Sequence, residues 1–531
     1  MQRKAASRKV MPMYWVAILI GAAGALFILL KLSGYVFDRW LFGGRRYNHA
    51  PELDAATGKW TFRNWGGNQA FTPADTLSPA SLEELLEAVT RHGRAGRKIK
   101  AVGGLHSWSA CAVAEDVCLR MHRLDRVLSH DPGQRTITAE AGIQLNSLYA
   151  AMDERDLAIA SIPNVDTIQL GGAIANATHG TNFSRGTMSS FVVALQVVVF
   201  QAPVGDASQG KAELVTLRRD DADPKKRAWF EAAVASFGSL GVIYSVTMQC
   251  EEPYACYVVE HSFPFSHIDG RIAEIAEKHY SAFISVGTSN GICRSRIQVP
   301  IPRDLVQVDR TCLLTENDLR GIKIMLWAAS PTAKTWLGLR RALNRFFYNA
   351  SLGRAGSVKM HQRRRREGVM SWRDAELLSR IFAVTATAPW INLEYAVPAH
   401  RADEAARKLL QLHQSHPVVT SFVMRPVGAD SAGFLSPTRG RPTVFFDIGY
   451  HKDLLHTGVY AEMERLLLEC EGRCSWSRLF KAPAEEVIRQ YPQYPEFLQA
   501  KREMDPCNVF SNAFSDSILF PGGVTSRREA A

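Results

Sequence analysis

Hydrophobic and polar positions divide the chain into an apolar segment near its start and a mixed pattern after it. The run from Val10 to Leu30 contains no charged side chain and is almost wholly apolar. As a helix rising about 1.5 Å per residue, it spans about 30 Å, the thickness of a hydrocarbon core. No small-residue cleavage pattern follows it. The run predicts a retained single-pass membrane helix, and basic residues on both sides leave its orientation open.

Between Asn64 and Cys250, short β-branched runs alternate with helical patterns. Leu82 to His92 has helical spacing, and Ser81 before it is a typical N-cap. Three further segments predict strands: Ile99 to Val102, Arg135 to Ala141 and, as a buried strand, Ala194 to Phe200. Strands separated by helices indicate an α+β or α/β domain.

The composition changes near Glu251. Gly321 to Phe347 is basic and rich in large apolar residues, and Arg363 to Arg366 is an unbroken run of four arginines. One interpretation is ordinary helices with a solvated basic loop. The other is a second contact with anionic membrane lipid, because basic amphipathic segments bind such headgroups.

Composition narrows the class of protein only slightly. Of 531 residues, 46% are hydrophobic and 22% charged, which are ordinary globular values. The net charge of +11 is compatible with anionic lipid, acidic substrates or nucleic acid. No nucleic-acid module leaves a signature, so no such partner is predicted. Nine cysteines are too few for a secreted disulfide scaffold, and Cys470 and Cys474 lack a second metal-ligand pair, so no metal site is predicted.

Glycine-rich segments carry the clearest chemical signal. They are Ala101 to Ser109, Ile168 to Thr181 and Ser236 to Ile243. Glycines let backbone amides approach a phosphate or a ring closely, and consecutive amides form an anion-binding nest. The chain has neither the G-x-G-x-x-G fingerprint nor a Walker loop. The three segments therefore predict a large phosphorylated cofactor lying along backbone, outside a Rossmann crevice.

Several of these strings resemble one known family. They are NWGGN (Asn64 to Asn68), VGGLHSWS, the run from Pro163 to Thr181, SFGSLGVI, LEYAVP (Leu393 to Pro398), MRPVGADSAGFLSP (Met424 to Pro437) and MDPCNVFSN. In this order they resemble the vanillyl-alcohol-oxidase-type FAD flavoproteins with a PCMH-type FAD-binding domain. The similarity is to the sugar-1,4-lactone oxidases (gulonolactone and arabinonolactone oxidase) and to alditol oxidase. It covers nearly everything after the apolar run.

The resemblance implies an α+β fold with a two-lobed PCMH-type FAD-binding domain and an α+β cap or substrate domain. The apolar run adds an N-terminal transmembrane helix before them. The implied bounds are 1–60 for the anchor and linker, 61–251 for the FAD-binding domain and 252–470 for the cap. Residues 471–531 are expected to return to the active site.

The resemblance also implies how FAD is held. The flavin-linked histidine of the family falls on His106, and no cysteine lies between Cys118 and Cys250 for a second bond, so a single covalent link is expected. His179 is expected either to contact the cofactor or to stabilise its loop. The other implied contacts are Gly103, Gly104, Ser107, Ser161, Gly172, Ala173, Thr178, Gly180, Gly241 and Ile243.

The substrate side departs from the family. A Glu-x-Arg pair reads Val423-Met424-Arg425 here, and a His-Trp-Gly-Lys string reads Ser475-Trp476-Ser477-Arg478. The implied catalytic residues are Arg425, Arg478, Glu394 and Ser475, although a serine cannot replace histidine as a base at neutral pH. Either the pocket is adapted to a less polar substrate, such as a lipid-linked alcohol, or catalysis has been lost.

The implied function is a membrane-anchored FAD-dependent oxidoreductase. It would oxidise a CH–OH group of a sugar lactone, polyol or lipid-linked alcohol by hydride transfer to flavin N5. O2 or another acceptor would take up the electrons. The alternatives are a membrane-bound flavin-binding protein without turnover, or a flavin-dependent reductase or isomerase acting on a lipid.

Overall fold

Nineteen strands form four sheets in the described part of the chain. The structure is a computed structural model, and it describes residues 51–521 except 204–205, 280, 288–290, 303–362, 372, 374–389, 416–420 and 452–457. In chain order the strands are β1 Glu52–Leu53, β2 Trp60–Arg63, β3 Ala70–Phe71, β4 Asp75–Leu77, β5 Ile99–Val102, β6 Val117–Arg120, β7 Val127–Asp131, β8 Thr136–Glu140, β9 Val192–Gln201, β10 Lys211–Arg218, β11 Val242–Gln249, β12 Tyr254–Pro264, β13 Ser281–Gly287, β14 Ile292–Pro302, β15 Arg363–Ser371, β16 Trp390–Pro398, β17 Ser421–Val427, β18 Thr443–His451 and β19 Arg473–Cys474.

Helices lie between and after these strands. They are α1 Leu82–Arg94, α2 Leu145–Asp153, α3 Leu170–Ala175, α4 Pro224–Ala233, α5 Ile272–Lys278, α6 Ala402–Ser415, α7 Gly458–Glu469, α8 Ala484–Ile488, α9 Tyr494–Met504 and α10 Ala513–Leu519. The helix expected after Ser81 is confirmed as α1. The Ser81 hydroxyl oxygen accepts a hydrogen bond from the Glu84 amide at 3.2 Å, which satisfies one open N–H of the first turn. Leu85 and Val89 form its buried face.

Two sheets of different type build the first half of the molecule. One is parallel, in the order β4-β6-β5, and the other is antiparallel, in the order β10-β9-β11-β8-β7. The three predicted strands are confirmed as β5, β8 and β9, and β9 is mostly buried, as its apolar run indicates. A small sheet, β1-β2-β3, precedes them.

An antiparallel sheet of eight strands dominates the second half, in the order β15-β12-β14-β13-β17-β18-β16-β19. Separate helices and mainly antiparallel sheets agree with the predicted α+β class. The loop expected at Arg363 to Arg366 is wrong, because these arginines belong to β15, which pairs with β12. Among the described strands β15 is the first in the order, and charged side chains are typical of such edge positions.

Two predicted membrane contacts, Val10 to Leu30 and Gly321 to Phe347, lie outside the described residues. Among the described helices, none combines the length and the apolar character needed to cross a bilayer. From His49 onward the chain forms one compact unit. The bounds at 61, 252 and 471 stay a prediction.

Candidate functional site

The glycine-rich loops meet around one large cavity. Counted together with its open mouth, it contains about 1420 Å³ of empty space. The predicted residues that line it are Gly103, Gly104, His106, Ser107, Gly172, Ala173, Thr178, His179, Gly241, Ile243, Glu394, Arg425, Ser475 and Arg478. Two predicted cofactor residues, Ser161 and Gly180, are not part of this lining. They lie behind it, where the Gly180 amide donates to the Ser161 hydroxyl oxygen at 3.1 Å.

Hydrogen bonds to the segment before β3 hold the loop that carries His106. The Trp65 amide donates to the Leu105 carbonyl at 2.8 Å, and the Asn64 side-chain amide donates to the Ser107 carbonyl at 2.8 Å. The His106 ring therefore stacks on Trp65, with centroids 5.7 Å apart. Its Nε2 lies 3.4 Å from the Thr167 hydroxyl oxygen. The imidazole is partly exposed at the cavity wall.

The second glycine-rich wall is formed by α3 and the turn before β11. The Gly171 amide donates to the Ala141 carbonyl at 2.8 Å, which ties α3 to the end of β8. A Cβ at Gly172 would meet no atom within 4 Å, so bare backbone opens on the cavity there. At Gly241 a Cβ would lie 2.7 Å from the Val198 carbonyl oxygen, so only glycine fits this turn.

A buried charged cluster closes the cavity on the side of the large sheet. Glu394 on β16 is 2% exposed, and one carboxylate oxygen, Oε2, accepts from Arg478 Nε at 3.2 Å. The other, Oε1, lies 3.4 Å from His179 Nε2 and 3.6 Å from a terminal nitrogen of Arg425. Within the described residues, Oε1 accepts no hydrogen bond of good geometry.

The electrostatics of the cluster favour an ionised Glu394 and a neutral His179. Burial alone would raise the pKa of Glu394, but the positive charges of Arg478 and Arg425 hold this pKa well below its usual range. Burial and the charge of Arg425 lower the pKa of His179. The His179 Nδ1–H donates to the Gly180 carbonyl at 2.9 Å, and the ring stacks on Phe445. His179 thus both lines the cavity and stabilises its own loop.

The loop from Ser475 to Arg478 lies against the His106 loop. The Ser475 amide donates to the Glu394 carbonyl at 3.0 Å, and the Trp108 amide donates to the Ser477 carbonyl at 2.7 Å. Trp476 is fully buried, and its indole N–H donates to the Leu435 carbonyl at 2.7 Å. This loop carries Arg478 to the cavity, and Ser475 also lines it.

Sequence reasoning missed two charged residues at the site. Asp447 on β18 pairs with Glu394 on one side and Val423 on the other. Burial, followed by the charge of Glu394, raises the pKa of Asp447 to about 6. Lys100 on β5 lines the cavity and donates to the Phe237 carbonyl at 2.8 Å, and its burial lowers the pKa to about 8. Each is a charged residue inside an otherwise apolar strand, Lys100 in IKAV and Asp447 in VFFDIGY, and this pattern could have identified them in the sequence.

The residues present fit an extended dinucleotide that carries a ring system. At Gly172 bare backbone faces the cavity, where a phosphate can approach an amide. Gln169 Oε1 and Glu394 Oε1 line the cavity, are buried and have no hydrogen-bond partner among the described residues. Ligand groups can satisfy both. No group of three His, Cys, Asp or Glu side chains in the described part is placed to hold a metal ion.

Known proteins match both halves of this arrangement. A family model described as an FAD binding domain matches residues 73–201, and one described as D-arabinono-1,4-lactone oxidase matches residues 322–518. The L-gulonolactone oxidase of Mus musculus is 23% identical over 481 residues, covering 86% of this chain and 98% of the relative. The alditol oxidase of a Streptomyces species is 23% identical over 490 residues, covering 86% of this chain and 98% of the relative.

The fold has a solved counterpart. Cholesterol oxidase from B. sterolicum has a TM-score of 0.68 at 15% identity and covers 90% of this chain and 98% of its own. A likeness at this identity concerns the fold alone.

The sequence matches confirm FAD as the cofactor, and they do not favour a flavin-binding protein without turnover. The chain is thus similar to the PCMH-type FAD flavoproteins, and it is an FAD-dependent oxidoreductase acting on CH–OH donors.

Proposed function

We propose that the protein oxidises a CH–OH carbon of a sugar lactone or alditol. The observation that carries the proposal is the buried Glu394 carboxylate at the cavity, with Oε1 open to a donor and two guanidinium groups beside it. FAD supplies the acceptor for the hydride, and O2 or another acceptor later removes the two electrons. The hydroxyl proton leaves toward the polar cluster or water.

The chain's own residues orient the substrate. Arg425 donates to the His179 carbonyl at 2.9 Å and is 3% exposed, so its guanidinium is fixed in place. Arg478 is fixed by Glu394 and by the loop that Trp476 anchors. These fixed charges can stabilise negative charge that develops on the substrate oxygen, without the cost of reorganising water. Ser475 contributes backbone and a small side chain, which leaves room beside Glu394.

We further propose that His106 carries FAD through a single covalent bond. An imidazole nitrogen can add to the activated 8-methyl carbon of an isoalloxazine ring. His106 supports this role because it lines the cavity, its ring is held against Trp65, and it is not deeply buried. We also propose that the remaining predicted residues, Ser161 and Gly180 among them, contact FAD.

A lipid-linked alcohol is a second candidate substrate. The apolar run Val10 to Leu30 favours it, because a retained membrane helix would bring the site close to lipid. Val423 in place of a carboxylate favours it as well. Membrane lipid and this substrate therefore stay proposals beside the sugar lactone or alditol.

Anaerobic mixing tests the reaction directly. The wild-type protein is mixed with L-gulono-1,4-lactone, D-arabinono-1,4-lactone, xylitol or 1-dodecanol in detergent, and loss of the oxidised-flavin absorbance is followed. The lactones or xylitol should bleach the flavin, whereas bleaching by 1-dodecanol alone would favour the lipid candidate. If none bleaches it, the proposed oxidation is wrong.

An Arg478→Ala variant tests the role of the cluster. We expect the limiting rate of flavin reduction to fall by about 10²-fold, because a fixed charge beside the reacting oxygen is lost. Arg478→Lys should retain more of the rate. Arg218→Ala removes an arginine whose side chain is 57% exposed and serves as the control. An unchanged rate in Arg478→Ala would contradict the role.

A further inference from the structure

The third glycine-rich segment, Ser236 to Ile243, has a backbone that needs support from its surroundings. Phe237 has a φ of 40°, and Ala235, just before the segment, has a φ of 64°. Residues with a Cβ rarely adopt this left-handed region, and they keep it only where surrounding contacts fix it. Phe237 and Gly238 line the cavity. Contacts that fix this backbone therefore also shape the cavity wall.

Two buried lysines hold three consecutive carbonyl groups of this segment. Lys100 on β5 donates from its Nζ to the Phe237 carbonyl at 2.8 Å and to the Gly238 carbonyl at 3.3 Å. Lys501 on α9 donates to the Ser239 carbonyl at 2.6 Å. Hydrogen bonds from a charged donor are stronger than those from a neutral one. The strained backbone is therefore fixed by ammonium groups from two distant parts of the chain.

The amides of Gly238 and Gly241 are not used by the protein itself. No described residue accepts a hydrogen bond from either amide, although the Phe237 and Ser239 amides both donate to protein carbonyls. Both glycines line the cavity, so their amides are available to a ligand there. A cation bound to a carbonyl polarises the adjoining hydrogen-bonding groups, which makes the amides of this segment stronger donors to an anion.

Lys100 differs from Lys501 because it has no counter-charge beside it. Lys501 is fully buried and pairs with Asp505. Lys100 is 3% exposed, lines the cavity and forms no ion pair with a described residue. The charged and titratable groups around it are the Cys111 thiol, the ammonium of Lys501 and the carboxyl groups of Asp516 and Asp505, and its burial lowers its pKa to about 8. A buried cation of this kind is stabilised by an anion in the cavity.

We propose that Lys100 is a positioning residue for the cofactor. It holds the Phe237 and Gly238 carbonyls, so that the amides of the segment stay available to FAD, and its charge strengthens the binding of the anionic dinucleotide. The diphosphate of FAD supplies the negative charge that the surroundings of Lys100 lack. The inference needs FAD to bind, but it does not depend on which alcohol is oxidised or on the proposed bond to His106.

Rebinding of FAD to the emptied protein tests this role. The full chain in detergent carries His106→Ala, because a covalent bond would hide weaker binding. Its FAD is removed by dialysis against concentrated bromide, and the Kd is measured from the change in flavin fluorescence as FAD rebinds. Adding Lys100→Met should raise the Kd at pH 7 by at least about tenfold, the effect of losing hydrogen bonds from a charged donor.

Lys98→Met in the same background is the matched control. Lys98 also donates to a backbone carbonyl, that of Asn508 at 2.7 Å, but it is not among the residues that line the cavity. Its removal should leave the Kd for FAD unchanged. Equal weakening by Lys98→Met and Lys100→Met would overturn the role, because any lysine near the C-terminal segment would then have the same effect.

The dependence of binding on pH separates the charge of Lys100 from its packing. Anionic FAD favours the charged lysine, so binding takes up a proton at a pH where the emptied protein has lost it. With Lys100 present, the Kd should be constant below pH 8 and rise by up to about tenfold per pH unit above it. Lys100→Met should not show this rise. Lys100→Arg stays charged, so it should bind FAD more tightly than Lys100→Met at pH 7 and show no rise.

Several outcomes would overturn the role of Lys100. The first is an unchanged Kd in Lys100→Met. The second is a rise above pH 8 that persists in Lys100→Met, since another group would then cause it. The third needs no change at position 100: an equal Kd at pH 7 and pH 9.5 with Lys100 present. Lower stability of emptied Lys100→Met in denaturant, with weak binding that Lys100→Arg does not restore, would assign Lys100 to packing alone and also overturn it.

Discussion

The ionisation of a charged side chain near the cavity depends on its neighbours more than on its residue type. Glu394 stays ionised because two arginines lie beside it, and Asp447 has a raised pKa because it is buried and because Glu394 is ionised on the next strand. The same carboxylic acid chemistry thus has opposite pKa shifts on two adjacent strands. His106 differs from both, since its expected role depends on a bond to the cofactor.

The proposed covalent bond between His106 and FAD predicts that flavin stays with the denatured protein. Full-length protein is purified in detergent, denatured, run on a gel and examined for flavin fluorescence before staining. Fluorescence should travel with the wild-type band and be absent from His106→Ala, because the imidazole nitrogen that forms the bond is missing. His122→Ala is the matched control and should stay fluorescent. A dark wild-type band from yellow protein would contradict the link.

The raised pKa of Asp447 predicts a pH-dependent stability change. Its folded value of about 6 lies above the usual 3.8, so the folded protein binds the extra proton between these values. The stability from this group is complete below pH 3.8 and is lost as pH rises through 6. The Asp447→Asn variant has no carboxyl at this position, so its stability does not fall in this way as pH rises. Thermal unfolding should therefore show the variant more stable than wild-type by about 1–3 kcal/mol at pH 7.5, and by much less at pH 4.5.

An exposed aspartate provides the comparison. The Asp220 side chain is 76% exposed, and Asp220→Asn should change stability equally little at both pH values. An Asp447→Asn variant with the same difference from wild-type at pH 4.5 and 7.5 would show that the carboxyl does not titrate in this range.

Secondary-structure elements meet at points where there is no room for a side chain. Gly142 follows β8 in the antiparallel sheet, and its amide donates to the Leu124 carbonyl, beyond β6 of the parallel sheet. A Cβ at Gly142 would lie 1.9 Å from the Met121 carbonyl oxygen and 2.6 Å from that of Leu124. Close backbone packing between the two sheets therefore requires glycine at position 142.

Gly142→Ala should therefore loosen the contact between the two sheets. We expect a loss of about 2–4 kcal/mol in unfolding free energy and a lower flavin content, because backbone must move to make room. Gly458→Ala is the control: a Cβ there meets no atom within 4 Å, so stability should be unchanged or slightly higher. Denaturant unfolding and the ratio of flavin to protein absorbance measure both. Full stability in Gly142→Ala would contradict the packing.

The C-terminal segment is hydrogen-bonded to the first part of the described chain. The Ile99 amide donates to the Val509 carbonyl at 2.8 Å, and the Asn512 side-chain amide donates to the Val113 carbonyl at 2.8 Å. With Trp476 buried nearby, the end of the chain supports the loop that carries His106. The site is thus assembled from both ends of the described chain.

The apolar run predicts membrane attachment of the full chain. In cells that express it, the protein should stay with membranes after alkaline carbonate washing. Leu19→Lys combined with Leu26→Lys should release it, because each charge within a transmembrane helix costs about 2.5–3.5 kcal/mol of insertion. Leu53→Lys places the same charge outside the run and should stay attached. Release of the wild-type protein by carbonate would contradict the anchor.

Local features could be predicted from the amino-acid sequence because their causes are local. Helix α1 follows from its apolar spacing and the Ser81 cap, and strands β5, β8 and β9 follow from short β-branched runs. The loops that line the cavity follow from glycine-rich strings that resemble a known family. The basic run at Arg363 was misjudged, since its pairing with β12 is not visible in its composition.

The tertiary structure alone decided the chemistry of the substrate side. In the sequence alone, Val423 indicates that the pocket has lost the carboxylate that the family has at this position. Strand pairing places Asp447 directly opposite Val423 and next to Glu394, although the three residues lie on separate segments of the chain. Register, burial and the charges of Arg425 and Arg478 then determine which carboxyl is ionised. These quantities arise from long-range packing, so no local pattern of residues contains them.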